Sequence, residues 1–151
     1  MNIEYLTPEP GENTLPSFNH GYFQLSIGMA LRQQDNFSVV SAISIEIDGK
    51  EYIPDISVYP QRKINRLHDI VKTTEMPLLA IEILSPTQGT LEIVNKFQVY
   101  FQGGIKSCWL VDPLQGSVVV FSSPDNAQTF TTGDLIDKTL DIGIPIDELF
   151  K

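Results

Sequence analysis

The chain has 151 residues, of which 42% are hydrophobic and 19% are charged, a balance typical of one compact domain with its own core. Disordered, collagen-like and coiled-coil chains are thereby excluded. Nineteen acidic residues against ten lysines and arginines give a net charge of -9, which taken alone argues against a polyanionic partner. We expect a single domain over residues 1–151.

Cysteine usage and hydropathy bear on location. The only cysteine, Cys108, leaves no disulfide framework and no thiolate zinc cluster, which suits a reducing compartment. No apolar run approaches the roughly 18 residues of a membrane span. The first residues also lack the basic segment of a secretory signal. We therefore expect a cytoplasmic protein with no membrane partner.

The first predicted element is a helix that begins after Ser17 and runs to about Gln34. Ser17 is its predicted N-cap. Apolar side chains recur at steps of three and four residues, which is the spacing of one helix face. That face consists of Phe18, Tyr22, Leu25 and Met29.

Strands follow the helix. Isoleucines alternate with polar residues over 43–47, and Asp48-Gly49 predicts a hairpin turn into an antiparallel strand over 52–59. Residues 78–84 are apolar except for one glutamate, the pattern of a strand covered on both faces.

The second half of the chain predicts a crossover helix and a hairpin. Apolar residues fall at helical spacing from Leu91 onward, and Gly103-Gly104 ends that helix. The remaining predicted elements are strands over 107–111 and 117–121 and a short closing helix over 145–150. The sum is an α/β fold with a mixed central β-sheet flanked by helices.

Two carboxylates are the first candidate site residues. Glu82 lies in the middle of a doubly covered strand, where a carboxylate costs several kcal/mol unless a cation or hydrogen bonds compensate it. Asp55 follows Pro54 in another strand, and the two strands are able to lie side by side. Paired carboxylates suit Mg²⁺ or Mn²⁺. The alternatives are a turn residue for Asp55 and an internal ion pair for Glu82.

Basic residues supply the other candidates. Lys96 lies on the helix after the Glu82 strand, where its ammonium could reach the carboxylates; alternatively it pairs with Glu92 one turn earlier. A polar stretch between the two carboxylate-bearing strands holds the largest basic cluster, which would contact DNA phosphates or form a solvated loop. The cluster consists of Arg62, Lys63, Arg66 and Lys72.

The order of these residues resembles the Uma-two family of endonucleases, in the PD-(D/E)xK nuclease superfamily with the restriction-endonuclease-like fold. The resemblance extends over nearly the whole chain. It is carried by Pro54-Asp55, by Ile81-Glu82-Ile83-Leu84-Ser85-Pro86-Thr87, by Lys96 with Tyr100, and by residues 104–113, which read Gly-Ile-Lys-Ser-Cys-Trp-Leu-Val-Asp-Pro.

The resemblance implies roles for individual residues. Asp55 and Glu82, with the main-chain carbonyl of Ile83, would hold Mg²⁺, and Mn²⁺ would be an alternative ion. The lysine of the superfamily motif would fall at Leu84; in the resembled family it lies on the next helix, at the position of Lys96. Further matching positions are His20, which could also be a polar helix-start residue, and Glu92. An arginine often found after the Ser-Pro element is absent, since Gly89 and Thr90 stand there.

The resemblance therefore implies a metal-dependent endodeoxyribonuclease that acts on DNA. The catalytic residues would be Asp55, Glu82 and Lys96. The alternative is a catalytically inactive, nuclease-fold binding or accessory protein, and we expect a homodimer in either case. The acidic net charge, the displaced lysine and the missing arginine favour the alternative, whereas the joint presence of the three candidate catalytic residues favours the enzyme.

Overall fold

The computed structural model describes residues 17–151, which form a mixed six-stranded sheet with helices on both faces. This is the α/β architecture predicted from the sequence. The helices are α1 (Phe18–Arg32), α2 (Thr90–Gln102) and the short α3 (Ile146–Leu149). Within these residues, no helix is long and apolar enough to cross a membrane.

The strands form three sheets. The main sheet has the order β1-β4-β6-β7-β8-β9, and two smaller sheets have the orders β3-β2-β5 and β10-β11. The strands are β1 (Phe37–Ser41), β2 (Ser44–Ile47), β3 (Lys50–Tyr52), β4 (Ile56–Pro60), β5 (Lys72–Thr73), β6 (Leu79–Ile83), β7 (Ser107–Asp112), β8 (Ser117–Ser123), β9 (Asn126–Phe130), β10 (Asp134–Asp137) and β11 (Ile142–Pro145).

The centre of the main sheet is β6. It pairs antiparallel with β4 and parallel with β7, to which it is connected through α2. Side chains of β6 alternate between two buried clusters: Leu79, Ile81 and Ile83 pack on the α1 side, and Ala80 packs on the α2 side. Glu82 follows the same alternation, so its carboxylate faces α2.

The hairpin prediction was correct at the turn and wrong beyond it. Asp48 and Gly49 both have positive φ, as a two-residue hairpin requires, and they join β2 to β3. The predicted strand over 52–59 is in fact two strands in different sheets, β3 and β4, because Pro54 has no N–H to donate to a ladder. This break separates Asp55 from the hairpin and places it at the start of β4.

The predicted face of α1 is also different in the structure. Phe18, Tyr22, Leu25 and Met29 are exposed, and the buried face carries Ile27, Ala30 and Leu31. His20 and Gln24 lie seven and three residues before Ile27, so they share its face. The helix therefore turns two polar side chains toward the sheet.

A second buried carboxylate joins the C-terminal hairpin to the sheet. Asp137, at the end of β10, is 1% exposed. It accepts hydrogen bonds from the Ser107 hydroxyl, the Trp109 indole Nε1 at 2.8 Å and the Leu140 amide. Because these neutral donors come from β7 and from the loop after β10, Asp137 fixes the small β10-β11 sheet against the core.

Removal of this carboxylate should be costly. Asp137→Ala removes the acceptor of two buried donors, on Ser107 and Trp109, and of the partly buried Leu140 amide. We expect it to lower the free energy of unfolding by roughly 2–4 kcal/mol, measured by urea unfolding. Asp134→Ala is the matched control, since Asp134 is exposed on the same strand; we expect a change below about 0.5 kcal/mol. Equal effects of the two substitutions would contradict the role given to Asp137.

Candidate functional site

The site is built on two carboxylates from adjacent strands. Ile56 of β4 pairs with Ile81 of β6, so the antiparallel register, continued by one residue, brings Asp55 opposite Glu82. Glu82 is 3% exposed, and Asp55 is partly buried at the strand end. The Ile83 amide donates to Asp55 Oδ2 at 2.7 Å, which holds the aspartate against the strand that carries Glu82.

Helix α1 contributes two polar side chains to Asp55. His20 Nε2 lies 3.1 Å from Asp55 Oδ2, and the Gln24 side-chain amide donates to the Asp55 carbonyl oxygen at 2.7 Å. Ser17 caps the helix by accepting from the His20 amide, which fixes the first turn and hence the histidine. The position of the aspartate is therefore set by one helix and one strand.

Helix α2 contributes a similar pair to Glu82. The Tyr100 hydroxyl donates to Glu82 Oε1 at 2.7 Å, and Lys96 Nζ lies 3.6 Å from the same oxygen. Lys96 and Tyr100 are four residues apart and so lie on one helix face. The lysine is partly exposed, so its ammonium reaches both the buried carboxylate and the solvent.

The electrostatics of the pair favour protons or cations. Burial, followed by the negative charge of Asp55, raises the pKa of Glu82 to about 7, against the opposing effects of Lys96 and Tyr100. The hydrogen bond to Asp55 raises the pKa of His20 above its ordinary value, since it outweighs the opposing effect of burial. One ammonium does not fully compensate two adjacent carboxylates in this environment.

The comparisons with known proteins identify the family of the chain. A family model described as "Uma2: Putative restriction endonuclease" matches residues 2–145. The chain belongs to the Uma2 family. The resemblance seen in the sequence is thus confirmed, and membership supports a nuclease-like function at a coarse level. No curated protein matches the chain.

Solved structures support the fold of this Uma2 member. A crystal structure described as "a putative nuclease belonging to DUF820 from Anabaena variabilis ATCC 29413" superposes with a TM-score of 0.72 at 21% identity, over 90% of this chain and 82% of that chain. The restriction-endonuclease-like fold is therefore confirmed. A DrdV–DNA complex matches with a TM-score of 0.45 at 12% identity, over 72% of this chain and 9% of that chain, which is too distant to support an argument.

Not all of the predicted site residues meet. Asp55, Glu82 and Lys96 are brought together, and His20 joins them through Asp55. Glu92 is exposed on the first turn of α2, and within the described part of the chain no ion pair joins it to Lys96. The alternative role of Lys96, as a surface partner of Glu92, is therefore not what the structure shows.

The predicted basic cluster is divided. Arg62 forms a two-pronged ion pair with Glu75 at 2.7 and 2.8 Å, and Lys72 Nζ lies 3.4 Å from Glu46. Lys63 and Arg66 are exposed, and neither forms an ion pair with any of residues 17–151.

Two contributors to the site were not selected from the sequence. The sequence marks Tyr100 only as part of the family pattern and gives no direct indication of Gln24. The usable signal is spacing: each of them lies four residues after a candidate residue on the same helix, Lys96 in one case and His20 in the other.

The donor set suits a hard divalent cation. Mg²⁺ is usually bound through one or two carboxylates while it keeps several waters, and Asp55 and Glu82 supply two carboxylates. Within residues 17–151, no hydrogen-bond donor is paired with Asp55 Oδ1 or Glu82 Oε2. The same residues contain no group of three or more histidine, cysteine, aspartate or glutamate side chains placed to hold a metal.

The raised pKa of Glu82 predicts how stability depends on pH without divalent cations. The folded protein favours the protonated carboxyl, so this contribution is fully present below about pH 4.5 and is lost as the pH rises through about 7. Glu82→Gln carries no such charge. Its free energy of unfolding relative to wild type should therefore increase by roughly 2–3 kcal/mol between about pH 5 and about pH 8, measured by urea unfolding in chelator.

Two comparisons isolate the effect of Glu82 on the pH dependence of stability. Glu92→Gln neutralises an exposed carboxylate of α2 and should keep the wild-type pH profile. His20, whose pKa is also raised, loses its stabilising contribution as the pH rises. The charge of Glu82 is the smallest cause of that shift, so this contribution is nearly the same in all three proteins. A Glu82→Gln profile parallel to wild type would contradict the assignment.

Proposed function

We propose that the protein is a divalent-metal-dependent endodeoxyribonuclease that hydrolyses phosphodiester bonds in DNA. The observation that carries the proposal is the buried carboxylate pair, Asp55 and Glu82, with the ammonium of Lys96 3.6 Å from Glu82 Oε1. Family membership is consistent with this chemistry. A purely structural ion pair would need only one carboxylate.

Asp55, Glu82 and the main-chain carbonyl of Ile83 would hold Mg²⁺, or Mn²⁺ as an alternative. The chemistry such an ion supplies is Lewis acidity, which acidifies water and offsets charge on the phosphate. Its positive charge would also lower the pKa of Glu82, which otherwise lies near 7.

The protein's own groups have separate tasks in this mechanism. Lys96 takes the part of the displaced motif lysine: its ammonium orients the attacking water or donates to the phosphate as negative charge develops there. Tyr100 holds Glu82 by its 2.7 Å hydrogen bond. His20 and Gln24 hold Asp55, so both carboxylates are oriented before DNA arrives.

A plasmid-nicking assay with Mg²⁺ or Mn²⁺ tests the reaction. We expect cleavage by wild type, none in chelator, and none by Asp55→Asn or Glu82→Gln. Lys96→Met keeps the length of the side chain but removes its charge, and should lower the rate by about 10²–10⁴.

Matched controls separate the site from contamination and from general charge effects. Glu92→Gln and Lys106→Met change exposed residues of the same types and should retain full activity. Cleavage that survives Asp55→Asn or Glu82→Gln would refute the site.

Metal binding has a readout that does not require cleavage. A cation that binds only the folded protein stabilises it in proportion to the logarithm of its concentration; at about one hundred times Kd the melting temperature should rise by several degrees. The shift should be larger near pH 8 than near pH 6, because the proton on Glu82 competes with the metal. Glu82→Gln should abolish the shift, and Glu92→Gln should keep it.

The non-catalytic alternative is favoured by one observation, the placement of Leu84 where the superfamily motif has its lysine. Leu84 packs against the apolar cluster on the α2 side and cannot replace the ammonium. The two functions separate cleanly in experiment. A protein that binds DNA but does not nick it with either metal would be the accessory module.

A further inference from the structure

A clamped loop leaves the main sheet between β4 and β5. Arg62 forms the two-pronged ion pair with Glu75, and its guanidinium carbon lies 5.0 Å above the ring centre of Tyr59. The Tyr59 hydroxyl donates to the Glu75 carbonyl at 3.2 Å, and the Arg62 amide donates to the Ser38 hydroxyl. These contacts close the base of residues 61–71, which we call the 61–71 loop.

The 61–71 loop presents apolar side chains to solvent. All eleven of its residues are exposed, and four of them are large and apolar. Ile64 and Ile70 line a cavity of about 380 Å³ beneath the loop. Leu67 and Val71 do not line it, and they are 89% and 86% exposed. An apolar cavity lies next to the loop and these two side chains do not enter it, so both are accessible to a partner.

The charge of the 61–71 loop indicates the kind of partner. Residues 61–72 contain four of the ten lysines and arginines of the chain and one acid, Asp69, in a protein with a net charge of -9. Arg62 and Lys72 are held by ion pairs. Lys63 and Arg66 have no ion-pair partner among residues 17–151 and flank the tip of the loop. The combination of exposed cations and an exposed leucine fits an anionic polymer with apolar surfaces between its stacked bases, which is a nucleic acid.

We propose that the 61–71 loop is a DNA-binding element that inserts Leu67 between base steps in the minor groove while Lys63 and Arg66 contact phosphates. Apolar wedges flanked by basic side chains are a general means of unstacking a base step. The inference rests on the proposed function in that DNA is the substrate. It adds a contact between the loop and the DNA bases, which none of the carboxylate-site residues provides.

The topology sets the distance between the base of the 61–71 loop and the site. Asp55 precedes β4 and the loop follows Pro60, so about five residues of strand separate them, or roughly 16 Å. Base pairs are stacked about 3.4 Å apart, so this separation corresponds to about five base pairs, and Leu67 lies a further seven residues along the chain. The wedge therefore contacts the duplex outside the base pair that is cleaved.

Fluorescence of 2-aminopurine in a duplex tests the wedge, because the base brightens when it is unstacked. The full-length protein is added in chelator, so that cleavage does not occur. We expect wild type to raise the fluorescence, and Leu67→Ala to abolish the rise and weaken binding about tenfold. Leu114→Ala removes an equally exposed leucine, at 94%, from the β7-β8 turn and should behave as wild type.

The salt dependence of binding tests the cations separately. Lys63→Ala with Arg66→Ala should reduce the slope of log affinity against log salt by about two, whereas Leu67→Ala should leave that slope unchanged. Melting temperatures of these variants should equal that of wild type, since all three side chains are exposed. DNA binding and fluorescence unaffected by Leu67→Ala would overturn the wedge, as would a loop variant that loses binding to a protein partner but not to DNA.

The test of the 61–71 loop is independent of the catalytic proposal. Binding and unstacking without any nicking in Mg²⁺ would refute the nuclease and leave the loop assignment in place. Nicking that is lost in Glu82→Gln but insensitive to every loop substitution would support the nuclease and refute the loop assignment.

Discussion

The rest of the structure depends on one arrangement: two carboxylates that face each other across adjacent strands at the edge of the core. Glu82 is almost fully buried and Asp55 partly so, and the negative charge of Asp55 raises the electrostatic cost of ionising Glu82. The fold offsets this cost from both sides of the sheet. Helix α1 contributes His20 and Gln24 to Asp55, and helix α2 contributes Lys96 and Tyr100 to Glu82. The helices are thus placed by electrostatics as well as by apolar packing.

The sequence was sufficient to predict that Glu82 is buried despite its charge, although it did not indicate the same of Asp137. Glu82 interrupts an apolar strand, and such a carboxylate needs a partner wherever the strand lies in the sheet. The long connection from Asp55 to Glu82 allowed the two strands to be neighbours, and β4 and β6 are paired. The order of strand and helix allowed Lys96 to reach the carboxylates but left its pairing with Glu92 open, and the family resemblance favoured the first. These inferences depended on the local spacing of apolar and polar residues, and β6 and α2 follow that spacing.

The face of α1 could not be predicted, and the reason lies in the site itself. Two stripes at the same helical spacing compete on this helix. The fully apolar one, from Phe18 to Met29, is exposed, and the one that packs on the sheet contains His20 and Gln24. Periodicity alone favours the first stripe because it contains no polar residue. The contact with Asp55, which is distant in sequence, decides for the second, so a functional requirement overrides the local pattern.

The two buried carboxylates show how the fold separates stability from function. Asp137 faces the α1 side, and its oxygens accept only from neutral donors fixed in the core, so it needs no further partner. Glu82 faces the α2 side and has one neutral donor, one ammonium and a second carboxylate beside it. Conversion of Glu82 to a site like that of Asp137 would require the loss of Asp55 and Lys96 and the gain of neutral donors beside Tyr100. That the chain instead keeps a like-charged neighbour and a partly exposed lysine there means that the site is left short of positive charge. This deficit of positive charge costs stability. A bound cation, free or carried by a phosphate, would remove it.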